Sequence, residues 1–166
     1  MVKKAQAWGT DLVIGFLIFS STLLFFYFYA YNYSSQTEDI LGTLKYEARL
    51  ASESLLSEGY PVDWDASNVI QIGLTNNNRI NQTKLERFYQ LVETDYNKTI
   101  RLLNIHNDYY ITTNNNFSVS GMQIEGIGKP GINKNNIQQE SENLIKHTRV
   151  TIYNKKPITL YIYVFE

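Results

Sequence analysis

The chain has 166 residues, a formal net charge of −1, 14% aromatic residues and no cysteine. Lack of cysteine rules out a disulfide framework, a zinc ribbon and thiol chemistry. Lys and Arg are scattered rather than clustered, so the charge pattern gives no case for nucleic acid as a partner.

The first predicted element is an apolar run. No residue from Leu12 to Thr37 is charged, and the densest part, Leu12 to Tyr33, would rise about 33 Å as a helix at roughly 1.5 Å per residue. A hydrocarbon core is about 30 Å thick, so a single helix spanning the cell membrane in contact with lipid is predicted over about 12–33. A secretory signal would be shorter and would end in a small-x-small site, for which Ala30-Tyr31-Asn32 is a poor match. Lys3 and Lys4 are the only charges before Asp11. Positive flanks stay on the cytoplasmic side, which predicts a cytoplasmic N-terminus and an external domain after Gln36.

The pattern then becomes amphipathic. In SSQTEDILGTLKYEARLASESLLSEGYP, residues Ile40, Leu44, Ala48, Ala51 and Leu55 recur at helical steps, with Leu41 beside them. The charges Glu38, Asp39, Lys45, Glu47, Arg49, Glu53 and Glu58 fall largely elsewhere, so they are predicted to face water. Gly59 and Pro61 supply the stop. Two arrangements fit: one helix from about Ala7 to Glu58, about 78 Å long, or two helices bent between Asn32 and Gln36.

Residues 59–166 are predicted to form a head. A strand is expected over Val69–Leu74, then a turn at Asn76–Asn78. A helix follows from about Thr83 to Glu93, opened by a Thr83/Glu86 capping box, with a further turn near Lys98 to Leu103. Next come the strand DYYITT, a turn at Asn114–Asn116, the strand FSVSGMQIEGI and a loop from Gly126 to Asn136. A final hairpin turns near Asn154 to Lys156. Its last strand is apolar on both faces, Leu160, Ile162 and Val164 against Tyr161, Tyr163 and Phe165, which suits an interior strand covered by the long helix. This order predicts an α+β fold: a long N-terminal helix packed on a small antiparallel sheet with one or two short helices.

No catalytic constellation is found, and a protein without enzymatic activity, cofactor or metal is expected. His106 and His147 lie too far apart in sequence for a ligand motif, and no cysteine or spaced carboxylate joins them. Asp63 and Asp65 bracket Trp64, but no glycine turn or later bidentate glutamate completes a calcium loop; a packed Trp64 is expected there. Glu140 and Glu142 read as ordinary alternation. No Gly-x-Ser-x-Gly elbow occurs, and GIGKPG is too short for a phosphate loop. Acceptor sequons for N-glycosylation stand at Asn32, Asn81, Asn97 and Asn116.

In KKAQAWGTDLVIGFLIF, two basic residues, a small residue and a glutamine precede the apolar helix. This layout resembles the class III signal peptide of archaeal type IV pilin-like proteins, with Thr10-Asp11 where many members carry an early Glu. The resemblance implies cleavage by a prepilin peptidase that reads Lys3 and Lys4, with Ala5 the last residue removed and Gln6 the first retained. Residues 1–5 would then be a leader, 6–58 the long helix and 59–166 an extracytoplasmic head. It further implies self-assembly, as a homo-oligomeric filament or through minor-subunit contacts, into an extracellular pilus serving adhesion or surface interaction. Asp11 would either snorkel at the headgroups or pair with the new amine of Gln6, in its own chain or a neighbour, while Trp8 anchors the interface. The alternative is a monomeric, single-pass anchored ectodomain that binds a ligand and never polymerises.

Overall fold

The structure, a computed structural model, describes residues 3–166, without the side chains of residues 3–8, 32 and 34–37. Helix α1 covers Lys3–Leu55, and helical residues continue without interruption through Asn32 to Gln36. The chain forms two compact units, Met1–Ile40 and Leu41–Glu166.

In the first unit, Gly9–Tyr31 is long and apolar enough to cross a membrane, and none of it is buried in the protein. Side chains on every side of the helix, Leu12, Val13, Phe16, Leu17 and Phe19 among them, stay more than half exposed. A helix that is hydrophobic all round has no polar face to turn toward water.

In the second unit the apolar stripe is buried as predicted: Leu44, Ala48, Ala51 and Leu55 are each 0% exposed. The helix stops at Leu55 rather than Glu58, and the chain turns at Gly59 with φ 73°. Its terminal carbonyls would be orphaned. Instead, the Leu74 N–H donates to Leu55 O at 2.8 Å, the Thr75 N–H to Ser57 O at 3.0 Å, and the Thr75 hydroxyl reaches Leu56 O and Ser57 O at 2.9 Å. The strand predicted over Val69–Leu74 does not form: the N–H groups of Val69, Ile70 and Gln71 go to Asp65 O and Tyr60 O, that of Leu74 goes to the helix end, and an isolated Tyr60↔Gln71 bridge stands in place of a ladder. Gly73 lies so close to Ser57 and Gly59 that a Cβ there would overlap their backbone.

Six strands follow: β1 (Thr75–Asn76), β2 (Arg79–Ile80), β3 (Asp108–Val119), β4 (Met122–Gly128), β5 (Leu144–Tyr153) and β6 (Lys156–Phe165). Their order is β1-β2-β5-β6-β3-β4. The predicted α+β class holds, but the sheet is mixed rather than antiparallel throughout, because β2 runs parallel to β5. Three connections are two-residue turns with both residues left-handed: Asn77-Asn78, Ser120-Gly121 and Asn154-Lys155. Such turns match the right-handed twist of the strands they join.

Asn114–Asn116, predicted as a turn, is instead a bulge inside β3. Thr112 and Phe117 of β3 pair with Gly126 and Ile124 of β4, so five steps on one strand face two on the other. Asn116 takes φ 55° there. The chain reverses only at Ser120-Gly121, where glycine supplies the second left-handed residue.

Helices α2 (Gln82–Thr94) and α3 (Tyr96–Leu102) lie between β2 and β3 in sequence. The predicted Thr83 cap is displaced by Asn81, whose side-chain oxygen accepts the Lys84 N–H at 3.1 Å. Asn is as good a cap as Thr or better. Phe88 of α2 stacks on Tyr109 of β3 with ring centroids 6.4 Å apart. Strand β6 is interior, as predicted. Its Leu160, Ile162 and Val164 are fully buried, and on the neighbouring β5 Arg149 Nε donates to Ser52 of α1 at 3.2 Å. On the opposite face Tyr110, Phe165 and Ile137 form a second, smaller cluster flanked by Ile132, Leu144 and Tyr163.

Candidate functional site

The residues expected to direct processing and assembly lie in the first turns of α1. The side chains of Lys3, Lys4, Ala5, Gln6 and Trp8, and that of the sequon residue Asn32, fall outside the described residues. Asp11 is described and exposed, two positions into the apolar stretch Gly9–Tyr31. At the far end of that stretch the tyrosines form i,i+4 ladders: Tyr27 stacks with Tyr31 at 6.5 Å and Tyr29 with Tyr33 at 6.3 Å. Amphipathic rings at this level match the belt that marks a bilayer–water interface.

The three sequons of the second unit differ in setting. Asn81 is engaged as the cap of α2. Asn97 is exposed in the first turn of α3, but the Thr99 hydroxyl of its triplet is buried, donating to Tyr96 O at 2.6 Å and lying 2.5 Å from the Tyr109 hydroxyl. Asn116 is exposed on the β3 bulge.

Several ionisable groups of this unit are buried and matched with partners. Glu47, predicted to face water, is only 3% exposed. Its carboxylate accepts the backbone N–H groups of His106 and Asn107 at 3.1 Å each and the Asn107 side-chain amide at 3.0 Å, with His106 Nδ1 at 3.1 Å. These donors sit some 59 and 60 positions along the chain, which local periodicity cannot register. Lys84, also 3% exposed, donates to Glu58 O at 2.7 Å, Thr75 O at 3.0 Å and the Asn76 side chain. Burial pushes its ammonium below the usual lysine range. Asp108 accepts from the Tyr96 hydroxyl at 3.0 Å and from Lys129 at 2.7 Å. Burial raises the phenols of Tyr96 and Tyr109 far above the usual value, so neither ionises near neutral pH.

The residues weighed for metal or acid chemistry do other work. Asp65 accepts the Ser67 hydroxyl at 2.6 Å and the Ser67 N–H at 2.7 Å, bonds that hold its carboxyl below the usual range. Trp64 is fully buried, as expected, and donates to Gly73 O at 2.9 Å. The His106 side chain is exposed, whereas His147 lies in β5 with a buried Nε2 that has no hydrogen-bond partner. Among the described residues no three His, Cys, Asp or Glu are grouped to hold a metal ion.

One concavity was not legible in the sequence. A groove of about 550 Å³ lies where the β3 bulge, the start of β4 and the β5–β6 turn meet. The carboxamides of Asn115, Asn116, Gln123 and Asn154 and the Lys156 ammonium line its exposed part, above the buried Tyr153 and Ile158. Locally the asparagines read as turn formers, because the register that brings the three segments together is set by pairing, not by local pattern. No known protein family, curated protein or solved structure matches this chain.

Proposed function

We propose that this protein is a structural subunit of an archaeal type IV pilus-like surface filament, anchored and assembled through its N-terminal helix. One observation carries the reading. Helical residues run on from an apolar stretch with nothing of its own chain covering it, Gly9–Tyr31, to Leu44–Leu55, which supply part of the core of the second unit. A discarded targeting signal has no need to share a helix with a domain core, whereas a subunit that must leave the bilayer and pack beside its copies does.

In this reading Lys3 and Lys4 stay at the cytoplasmic face, a prepilin peptidase cuts between Ala5 and Gln6, and the second unit lies outside the cell. The exposed aromatic and aliphatic surface of Gly9–Tyr31 then exchanges lipid for the helices of neighbouring subunits, held by close van der Waals packing. Asp11 pairs with the amine of Gln6 and sets the register between subunits.

Shearing cells and sedimenting the released material tests the assembly. The chain is expected in the filament pellet, and protease added to unsheared cells is expected to degrade its second unit. A chain found only in the membrane, with its head digestible, would replace this reading by the monomeric anchored ectodomain; a protected head would overturn the topology.

A further inference from the structure

We propose that the groove between the β3 bulge and the β5–β6 turn binds an acidic saccharide, a hexuronate residue of a polysaccharide. The inference concerns the second unit alone and holds whether or not the chain polymerises. The volume of about 550 Å³ falls within the range of small-molecule sites.

The lining selects the ligand class. Among the described residues, no protein group bonds the side-chain amides of Asn115, Asn116, Gln123 and Asn154 or the Lys156 ammonium. Each carboxamide offers both a donor and an acceptor, the complement of a hydroxyl group that also donates and accepts. Several carboxamides converging on one concavity therefore suit a ring bearing several hydroxyls. No carboxylate lines the groove, so a cationic ligand finds no counter-charge. The single lysine supplies one positive charge, which fits one carboxylate on that ring. A nucleobase would need an aromatic platform. The one aromatic ring here, Tyr153, is 6% exposed and packs edge-on to Phe117.

Turn chemistry accounts for only part of the lining. Asn116 and Asn154 occupy left-handed positions that favour asparagine. Asn114, next to the groove, has a structural task, accepting the Thr159 N–H at 3.1 Å. Asn115 and Gln123 have no left-handed backbone, and their side-chain amides have no hydrogen-bond partner among the described residues. The floor is fixed before any ligand arrives, because the Tyr153 hydroxyl donates to Gln82 Oε1 at 2.8 Å and lies 3.3 Å from the Ser118 backbone. A preformed floor reduces the ordering cost of binding.

The experiment titrates the full-length, isotope-labelled chain in a zwitterionic detergent, since a sugar-headed detergent would compete. The probes are trigalacturonate, a neutral galactose trisaccharide and inorganic phosphate. Trigalacturonate is expected to shift the backbone amides of residues 115–118, 123 and 153–156 and to leave the remainder unmoved. Lys156→Gln and Gln123→Ala, both at exposed positions, should each weaken it by about tenfold, as loss of a hydrogen bond involving a charge or a desolvated amide does. The neutral trisaccharide should bind about tenfold more weakly than the acidic one for the same reason. No shift in the groove, unchanged affinity in both variants, or phosphate binding as tightly as trigalacturonate would overturn the proposal. So would an intact mass showing a glycan attached to Asn116, which would fill the groove covalently.

Discussion

Glu47 and His147 lie in the same unit and make opposite demands on their surroundings. The Glu47 carboxylate is satisfied by donors from His106 and Asn107 and ties α1 to the start of β3. Glu47→Ala leaves two part-buried backbone N–H groups and the Asn107 amide without their charged acceptor, and a loss of about 2 kcal/mol in unfolding free energy is expected from chemical denaturation; a loss below about 1 kcal/mol would show that water replaces the carboxylate. His147 has no such cage. Burial, with Arg149 and Arg49 nearby, holds its imidazole below the usual value. The unfolded chain therefore binds this proton more readily, so stability present above the unfolded pKa of about 6.5 is lost as pH falls below it. The unfolding midpoint should drop between about pH 7.5 and 5.5, and His147→Asn should flatten that drop. Equal slopes in the two proteins would contradict it. Neither environment is legible in the sequence, since the partners of Glu47 come from a segment far along the chain and the neighbours of His147 depend on strand register.

The elements divide along the same line between local and distant causes. The apolar stripe of α1, the Asn77-Asn78 and Asn154-Lys155 turns, and the interior character of β6 were readable because their causes lie within a few residues. The 69–74 segment misleads because Val69, Ile70, Ile72 and Leu74 resemble a strand, while its backbone hydrogen bonds go to the Tyr60 and Asp65 carbonyls and, at Leu74, to the end of α1. The bulge at Asn114–Asn116 misled because a run of asparagines usually turns the chain, yet β3 keeps its partner on both sides of it. The groove was lost for that reason too, as it exists only once that bulge is set beside the β5–β6 turn. Full burial of Leu44, Ala48, Ala51 and Leu55 makes a prediction about truncation. Each buried leucine contributes about 1.5 to 3 kcal/mol. Deleting residues 1–36 should therefore leave a soluble domain that unfolds cooperatively, whereas deleting residues 1–58 should give an aggregating or molten product. Cooperative melting of the shorter fragment would show the helix to be dispensable to the core.

For the whole molecule, the stretch long and apolar enough to cross a membrane and the α+β unit are both legible in the sequence, the first from uncharged length and the second from the order of elements. The proposed pilus-like function adds two expectations. Asp11→Ala should lower the yield of sheared filaments while membrane levels stay normal. A central Asp costs roughly 2.5 to 3.5 kcal/mol to insert and less at the border, so its removal does not hinder insertion. A buried amine left without its carboxylate loses about 3 to 5 kcal/mol, which would act on assembly alone. Wild-type filament yield would leave Asp11 as a border charge. The most direct measurement is the N-terminal residue of the protein isolated from native membranes and sheared filaments, read from intact mass and terminal sequencing. The account predicts Gln6 with residues 1–5 absent; a mature chain that still begins at Met1 or Val2 would contradict it.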